Sequence, residues 1–180
     1  MKKFAKLAVF STLGIAVTGA IGILAKKEHG AIGVGDRVPD FSLLDQNGQA
    51  FDITTVRGSQ KMVIYFYPKD ETPGCTKEAC TFRDHFAEFE DVGALVIGIS
   101  ADSPESHAAF ALKHNLDYVL LSDIDNKVRQ LFDVPTDMFG LIPGRVTYVV
   151  DAEGFVRHVF NSQMNVTRHV EEALEILRSL

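Results

Sequence analysis

Two unbroken apolar runs stand out along the chain, KMVIYFY at 61–67 and ALVIGIS at 94–100. Runs of this length without polar alternation predict strands buried on both faces. FSLLDQNGQAFDI, 41–53, predicts two strands around an Asn47-Gly48 turn, and YVLLSD, 118–123, a further short strand. RVTYVVD-AEG-FVRHVF, 145–160, predicts a hairpin turning at Glu153-Gly154. Between the strands the period lengthens. Ser103-Pro104 supplies an N-cap and a first helical residue for a helix reaching about Asn115. NKVRQLF predicts a short helix, and NVTRHVEEALEILRSL a C-terminal one with Val170, Leu174 and Leu177 on one face. Cys75, Ala79, Phe82, Phe86 and Phe89 recur at spacings of four, three, four and three, the stripe of one continuous helix. Strands alternating with helices and closing on a hairpin and a helix predict an α/β domain around a central sheet.

Charge divides the chain unevenly. Residues 1–29 carry five lysines against one glutamate, net +4, whereas 30–180 carry 13 basic against 23 acidic residues, net −10. A body that acidic lacks the basic surface that nucleic acid requires, so no nucleic-acid partner is expected. Lys2, Lys3 and Lys6 precede an uncharged run, residues 7–25, and Lys26 and Lys27 close it. As a helix this run spans roughly 28 Å, near the hydrocarbon thickness of a bilayer, and exceeds the roughly 7–15 residues of a secretory core. It predicts an N-terminal hydrophobic helix that anchors the protein in a membrane. Cleavage as a signal after Ala20 is the alternative, and the bracketing lysines argue against a buried soluble helix. The lysine asymmetry places the domain on the extracytoplasmic side, periplasmic or lumenal, or secreted if the run is cut. Residues 1–29 are thus read as anchor or signal plus linker, and 30–180 as the folded domain.

The only cysteines, Cys75 and Cys80, lie in YFYPKDETPGCTKEAC. Four readings compete. A structural disulfide meets a geometric objection, because on a helix their Cα atoms stand roughly 8.6 Å apart, beyond the roughly 6.8 Å that disulfides span. A metal site finds two thiols too few for zinc, with His29, His85, His107, His114, His158 and His169 scattered along the chain. His158 could pose as the distal histidine of a copper module, but such modules separate their cysteines by three residues and this chain by four. The same gap misses the Cys-x-x-Cys of a dithiol exchanger. The fourth reading is a reactive thiol with a resolving partner. Cys75 falls in the first turn of a helix, where free N–H groups favour a thiolate, and oxidation to a sulfenic acid can be followed by condensation with a second thiol.

Pro68-Lys-Asp-Glu-Thr72-Pro-Gly-Cys75 resembles the Pro-x-x-x-Thr-x-x-Cys signature of peroxiredoxins. TPGCTKEAC, LSD, FGLIPGRVTYVVD and HVFNSQ are similar to the bacterioferritin-comigratory, or peroxiredoxin Q, subfamily. The resemblance runs from about residue 34 to the end and implies a thioredoxin-like fold, with a central mixed sheet flanked by helices. A terminal hairpin plus helix is also how that fold finishes. It implies that Cys75 is the peroxidatic cysteine and Cys80 the resolving one, joined in a disulfide during turnover. Thr72 would orient thiolate and peroxide, Pro68 would shield the sulfur, Gly74 would let the backbone approach the peroxide, and Arg145 would support the thiolate and bind peroxide. Against these roles, Thr72 is also a natural helix cap, Pro68 a strand terminator and Arg145 a strand-end surface residue. Asp70, Glu71 and Glu78 oppose a thiolate, although Glu78 suits a helix N-terminus. The implied reaction is reduction of hydrogen peroxide and organic hydroperoxides by a monomer without metal, haem or flavin, with electrons from a thioredoxin-like dithiol. A membrane-tethered binding or chaperone-like module that keeps the fold without turnover is the rival reading.

Overall fold

The computed structural model describes residues 30–137 and 140–180. In chain order the strands are β1 (Ser42–Asp45), β2 (Ala50–Asp52), β3 (Lys61–Phe66), β4 (Ala94–Ser100), β5 (Val119–Ser122), β6 (Thr136–Asp137), β7 (Ile142–Pro143), β8 (Val146–Val150) and β9 (Val156–Asn161). The helices are α1 (Pro73–Asp84), α2 (Phe86–Asp91), α3 (Pro104–His114), α4 (Lys127–Leu131) and α5 (Val166–Ser179). Seven strands form one sheet in the order β2-β1-β5-β4-β3-β8-β9, with β3, β4 and β5 parallel and the other pairs antiparallel. This is the thioredoxin-like mixed sheet flanked by helices.

The apolar runs occupy the sheet centre because both faces of β3 and β4 are covered. Alternate residues of β3 serve two cores. Val63 and Tyr65, with Tyr67 just beyond, pack with Cys75, Ala79, Phe82, Phe110, Val170, Leu174 and Leu177. Met62, Ile64 and Phe66 pack on the other face with Phe41, Ile53, Val128 and Phe132. Local signals act as expected at several ends. The Asp45 carboxylate accepts from the N–H groups of Asn47 and Gln49 in the first hairpin, and Gly48 takes φ 72°. Ser103 Oγ accepts from Ser106 N, Pro104 opens α3, and Asn115 ends it in the left-handed region.

The continuous helix expected from the phenylalanine stripe is corrected. It breaks at His85, which has φ −106° and ψ 11° and closes α1 before α2 begins. Two side chains hold the break. His85 Nδ1 lies 2.6 Å from Glu88 Oε1 in the first turn of α2, and Arg83 Nη1 donates to the His114 carbonyl at 2.7 Å. Phe82 and Phe89 stay buried across it, and Phe86 is half-buried. The β6–β7 pair was not foreseen, since two-residue strands carry no readable period. The N-terminal hydrophobic helix expected over residues 7–25 lies outside the described residues. Among the described residues, no helix is long and apolar enough to cross a membrane.

Candidate active site

Pro68 leaves the end of β3, and the chain crosses to α1 through a loop held from below by Asp70. Its carboxylate accepts from Tyr67 Oη at 2.8 Å and Ser106 Oγ at 2.8 Å, and faces His107 Nδ1 at 3.0 Å. Asp70 N donates to Asp102 Oδ2 at 2.9 Å. Burial pushes the Asp70 carboxyl up, but the hydrogen bond and charge of His107, with the two hydroxyls, hold it below the ordinary range. Asp70 is therefore a structural anchor already satisfied by its partners. Glu71, at φ 59°, turns outward to Lys113.

Thr72 takes the N-cap position of α1, but its side chain does not cap the helix; Oγ1 donates to the Lys69 carbonyl at 3.0 Å. Pro73 opens the helix, and Cys75 follows in the first turn, 1% exposed. Its sulfur accepts a hydrogen bond from Arg145 Nη2 at 3.3 Å. Gly74 leaves room for that guanidinium, since a Cβ there would stand 3.2 Å from Nη2. Cys80, half-buried on another face of α1, is a free thiol like Cys75. Pro68 is half-buried at the edge of this cluster.

Arg145 immediately precedes β8 and is 4% exposed, so it is no strand-end surface arginine. Gly144 fixes its approach, because a Cβ there would lie 2.0 Å from the Pro135 carbonyl oxygen. The other nitrogen of the guanidinium, Nη1, bonds Glu78 Oε2. Glu78 is fully buried, and its second oxygen has no hydrogen-bond partner among the described residues. Sequence reading misplaced it as a helix N-terminal acid; its position three residues after Cys75 puts it on the same helix face, turned inward to Arg145. Burial pushes its carboxyl up to about 8, outweighing the attraction of Arg145. His169 does not relieve it. Burial holds that imidazole down to about 4, and its Nε2 donates to the Ser162 carbonyl at 2.8 Å while Nδ1 faces Thr147 Oγ1 at 2.8 Å. Burial also works against the charge of Arg145, but the fields of Glu78 and Cys75 prevail and hold it fully cationic. One buried guanidinium thus serves a carboxyl and a sulfur through separate nitrogens, the arrangement a reacting thiolate needs.

The carboxyl of Glu78 carries a pH signature. Its folded value lies above the ordinary 4.5, so the native state keeps a proton that the unfolded state releases. The stabilisation is complete below about pH 4.5 and is lost as pH rises through about 8. Glu78→Gln keeps an acceptor for Arg145 but cannot ionise, so its stability should decline less than wild type across that window. Denaturant titrations at several pH values check this, and parallel wild-type and variant curves would contradict it.

Of the residues singled out in the sequence, Cys75, Gly74 and Arg145 converge, with Thr72 and Pro68 at the border and Cys80 one and a half turns along α1. His158 pairs with Glu172, away from both thiols. Glu78, Asp70, His107 and His169 join the cluster or its support without having been recognised as such.

Comparison with known proteins agrees with this geometry. Residues 34–159 match the model of the AhpC/TSA family. The chain is similar to the chloroplastic peroxiredoxin Q of Sedum lineare, 51% identical over 146 residues covering 81% of this chain and 78% of that one. The chloroplastic peroxiredoxin Q of Populus jackii is 49% identical, with 81% and 68% covered. Among solved structures, the peroxidoxin BcpB of Mycobacterium tuberculosis superimposes with a TM-score of 0.76 at 38% identity, covering 83% of this chain and 98% of that one. These relatives overturn the expected location. The plant proteins are named chloroplastic, which contradicts a membrane-anchored domain on the extracytoplasmic side. A basic run without acidic residues is shared by export signals, anchors and organelle transit peptides, so the lysine bracket did not discriminate between them.

Proposed function

The chain belongs to the AhpC/TSA family and is a peroxiredoxin, a thiol peroxidase, and on that premise we propose the following cycle for residues 30–180. The Cys75 thiolate attacks the terminal oxygen of a hydroperoxide; the O–O bond breaks, water or an alcohol leaves, and Cys75 becomes a sulfenic acid. Arg145 holds thiolate and peroxide together, the Thr72 hydroxyl orients them, Pro68 shields the sulfur and Gly74 admits the peroxide beside the backbone. The Cys80 thiol then condenses with the sulfenic acid, releasing water and closing a Cys75–Cys80 disulfide. A thioredoxin-like dithiol reduces that bond and is itself oxidised. The observation that carries the reading is the Arg145 Nη2–Cys75 Sγ contact of 3.3 Å inside a buried first helical turn. The rival module without turnover finds no support in the comparisons. Hydrogen peroxide consumption with thioredoxin and its reductase tests the cycle. Loss of peroxide matched by reductant oxidation is expected, and no loss beyond the uncatalysed rate would refute it.

The disulfide requires motion. Both cysteines lie on α1, and a helix holds residues five apart at roughly 8.6 Å with side chains about 140° round the axis. Closing the bond means unwinding the turns after Gly74, near a helix end where fraying is cheapest. Beyond Cys80, α1 is tied down by Arg83 Nη1 donating to the His114 carbonyl at 2.7 Å, while the Tyr118 Oη–Ala79 O bond of 3.0 Å lies between the two cysteines and must open with the turn. Opening should therefore stay local. Amide exchange over residues 75–82 should be faster in the disulfide form than in the reduced form, and Cys80→Ala should expose Cys75 to sulfinic oxidation. Equal protection in both states, with the disulfide confirmed by mass, would contradict the unwinding.

A further inference from the structure

Beside the cluster lies a second buried guanidinium, Arg129 on α4, 7% exposed. Its Nη1 donates to the Gly144 carbonyl at 2.9 Å and its Nη2 to the Tyr67 carbonyl at 2.9 Å. These carbonyls belong to the residues immediately before Arg145 and Pro68, so one planar group joins the two chain segments that flank Cys75. Its Cζ sits 5.5 Å from the centroid of the Phe66 ring. The start of α4 is itself fixed, since Asp123 accepts from the N–H groups of Val128 and Arg129 at 3.1 and 2.8 Å.

Among the described residues no carboxylate forms an ion pair with the Arg129 guanidinium. A buried cation without a paired anion is costly, and two carbonyls and an aromatic face offset only part of that cost. Burial draws its proton affinity down; the charged or titratable groups opposing this are Asp123 at the base of α4, Tyr148 on β8 and Cys75 on α1. Asp133 in turn acts on Tyr148. An ionised Cys75 would supply a negative charge within the field of Arg129.

We infer that Arg129 is a positioning residue for the peroxidase reaction: it ties the segment before Pro68 to the segment before Arg145 and supports the Cys75 thiolate with its charge. The inference rests on Cys75 as the attacking thiol, and the experiment separates the two. Full-length wild type, Arg129→Lys and Arg129→Met are oxidised by hydrogen peroxide in stopped flow across a range of pH, with the modified residue located by peptide mass. Lysine keeps the charge but cannot donate to both carbonyls in the fixed planar fork. Arg129→Lys should react about tenfold more slowly at an unchanged pH midpoint, and Arg129→Met about a hundredfold more slowly with the midpoint about one unit higher. A folded methionine variant with lowered melting temperature but wild-type rate and midpoint would overturn the inference, reducing Arg129 to packing. Should that variant fail to fold, the lysine variant decides: a wild-type rate overturns the inference and the tenfold loss sustains it. Wild-type oxidation found on a residue other than Cys75 would instead sink the premise.

Discussion

Cys75→Ser is expected to abolish peroxide turnover and leave the protein folded. The serine hydroxyl occupies the same buried first-turn position and can still accept from Arg145 Nη2, so packing around Ala79 and Phe82 is kept. A loss of about 1 kcal/mol from the smaller side chain would move the melting temperature of a domain this size by only roughly 2–4 °C. Chemistry is what disappears, because a hydroxyl does not form the nucleophilic anion that a thiol does, and Cys80 lies on another face of α1 away from Arg145. Peroxide consumption with a dithiol reductant measures this. Residual turnover above about a tenth of wild type, a barrier change below about 1.4 kcal/mol, would contradict the assignment.

Arg145→Lys is expected to slow oxidation of Cys75 by at least about tenfold. The wild-type guanidinium reaches Glu78 Oε2 with Nη1 and Cys75 Sγ with Nη2. A lysine ammonium presents a compact point charge on a flexible stem and cannot span both in a fixed plane. Held by the Glu78 carboxyl, it leaves the sulfur and any bound peroxide without a donor. Glu78 keeps a cation, so the fold survives; removing the charge altogether would strand a buried carboxyl and cost about 3–5 kcal/mol when that carboxyl is ionised. The second-order rate of Cys75 oxidation, followed under single-turnover conditions, checks this. A rate equal to wild type would mean that Arg145 serves the fold and not the reaction.

The sheet was legible wherever burial covered both faces, as in β3 and β4, because a central strand best accounts for a run of six consecutive non-polar residues bounded by turn signals. The helix register around Cys75 was legible from Ala79 and Phe82, yet the break at His85 was not, since it depends on His114, contributed by α3 thirty-one residues away. Cys75, the proposed nucleophile, stood out by its spacing and helix position. Arg145 did so only through resemblance, because an arginine before VTYVV looks like any strand-end residue. Glu78 and Arg129 stayed hidden for a related reason. Glu78 meets its guanidinium across 67 residues, and Arg129 reaches Tyr67 across 62. No local period encodes such meetings. What hinted at Glu78 was an acid on the face that Cys75, Ala79 and Phe82 bury, a conflict that marks a functional position more often than an error. The location read from the N-terminal run was overturned by the chloroplastic relatives, because cationic residues without acidic ones occur in export signals, anchors and transit peptides alike.

The most direct test reacts the reduced, full-length Cys80→Ala protein with less than one equivalent of hydrogen peroxide, traps sulfenic acid with dimedone and maps the adduct by peptide mass. Cys75, in the buried turn that faces Arg145, should carry the adduct. A protein that consumes the peroxide yet returns Cys75 as an unmodified thiol would contradict its role as the attacking sulfur.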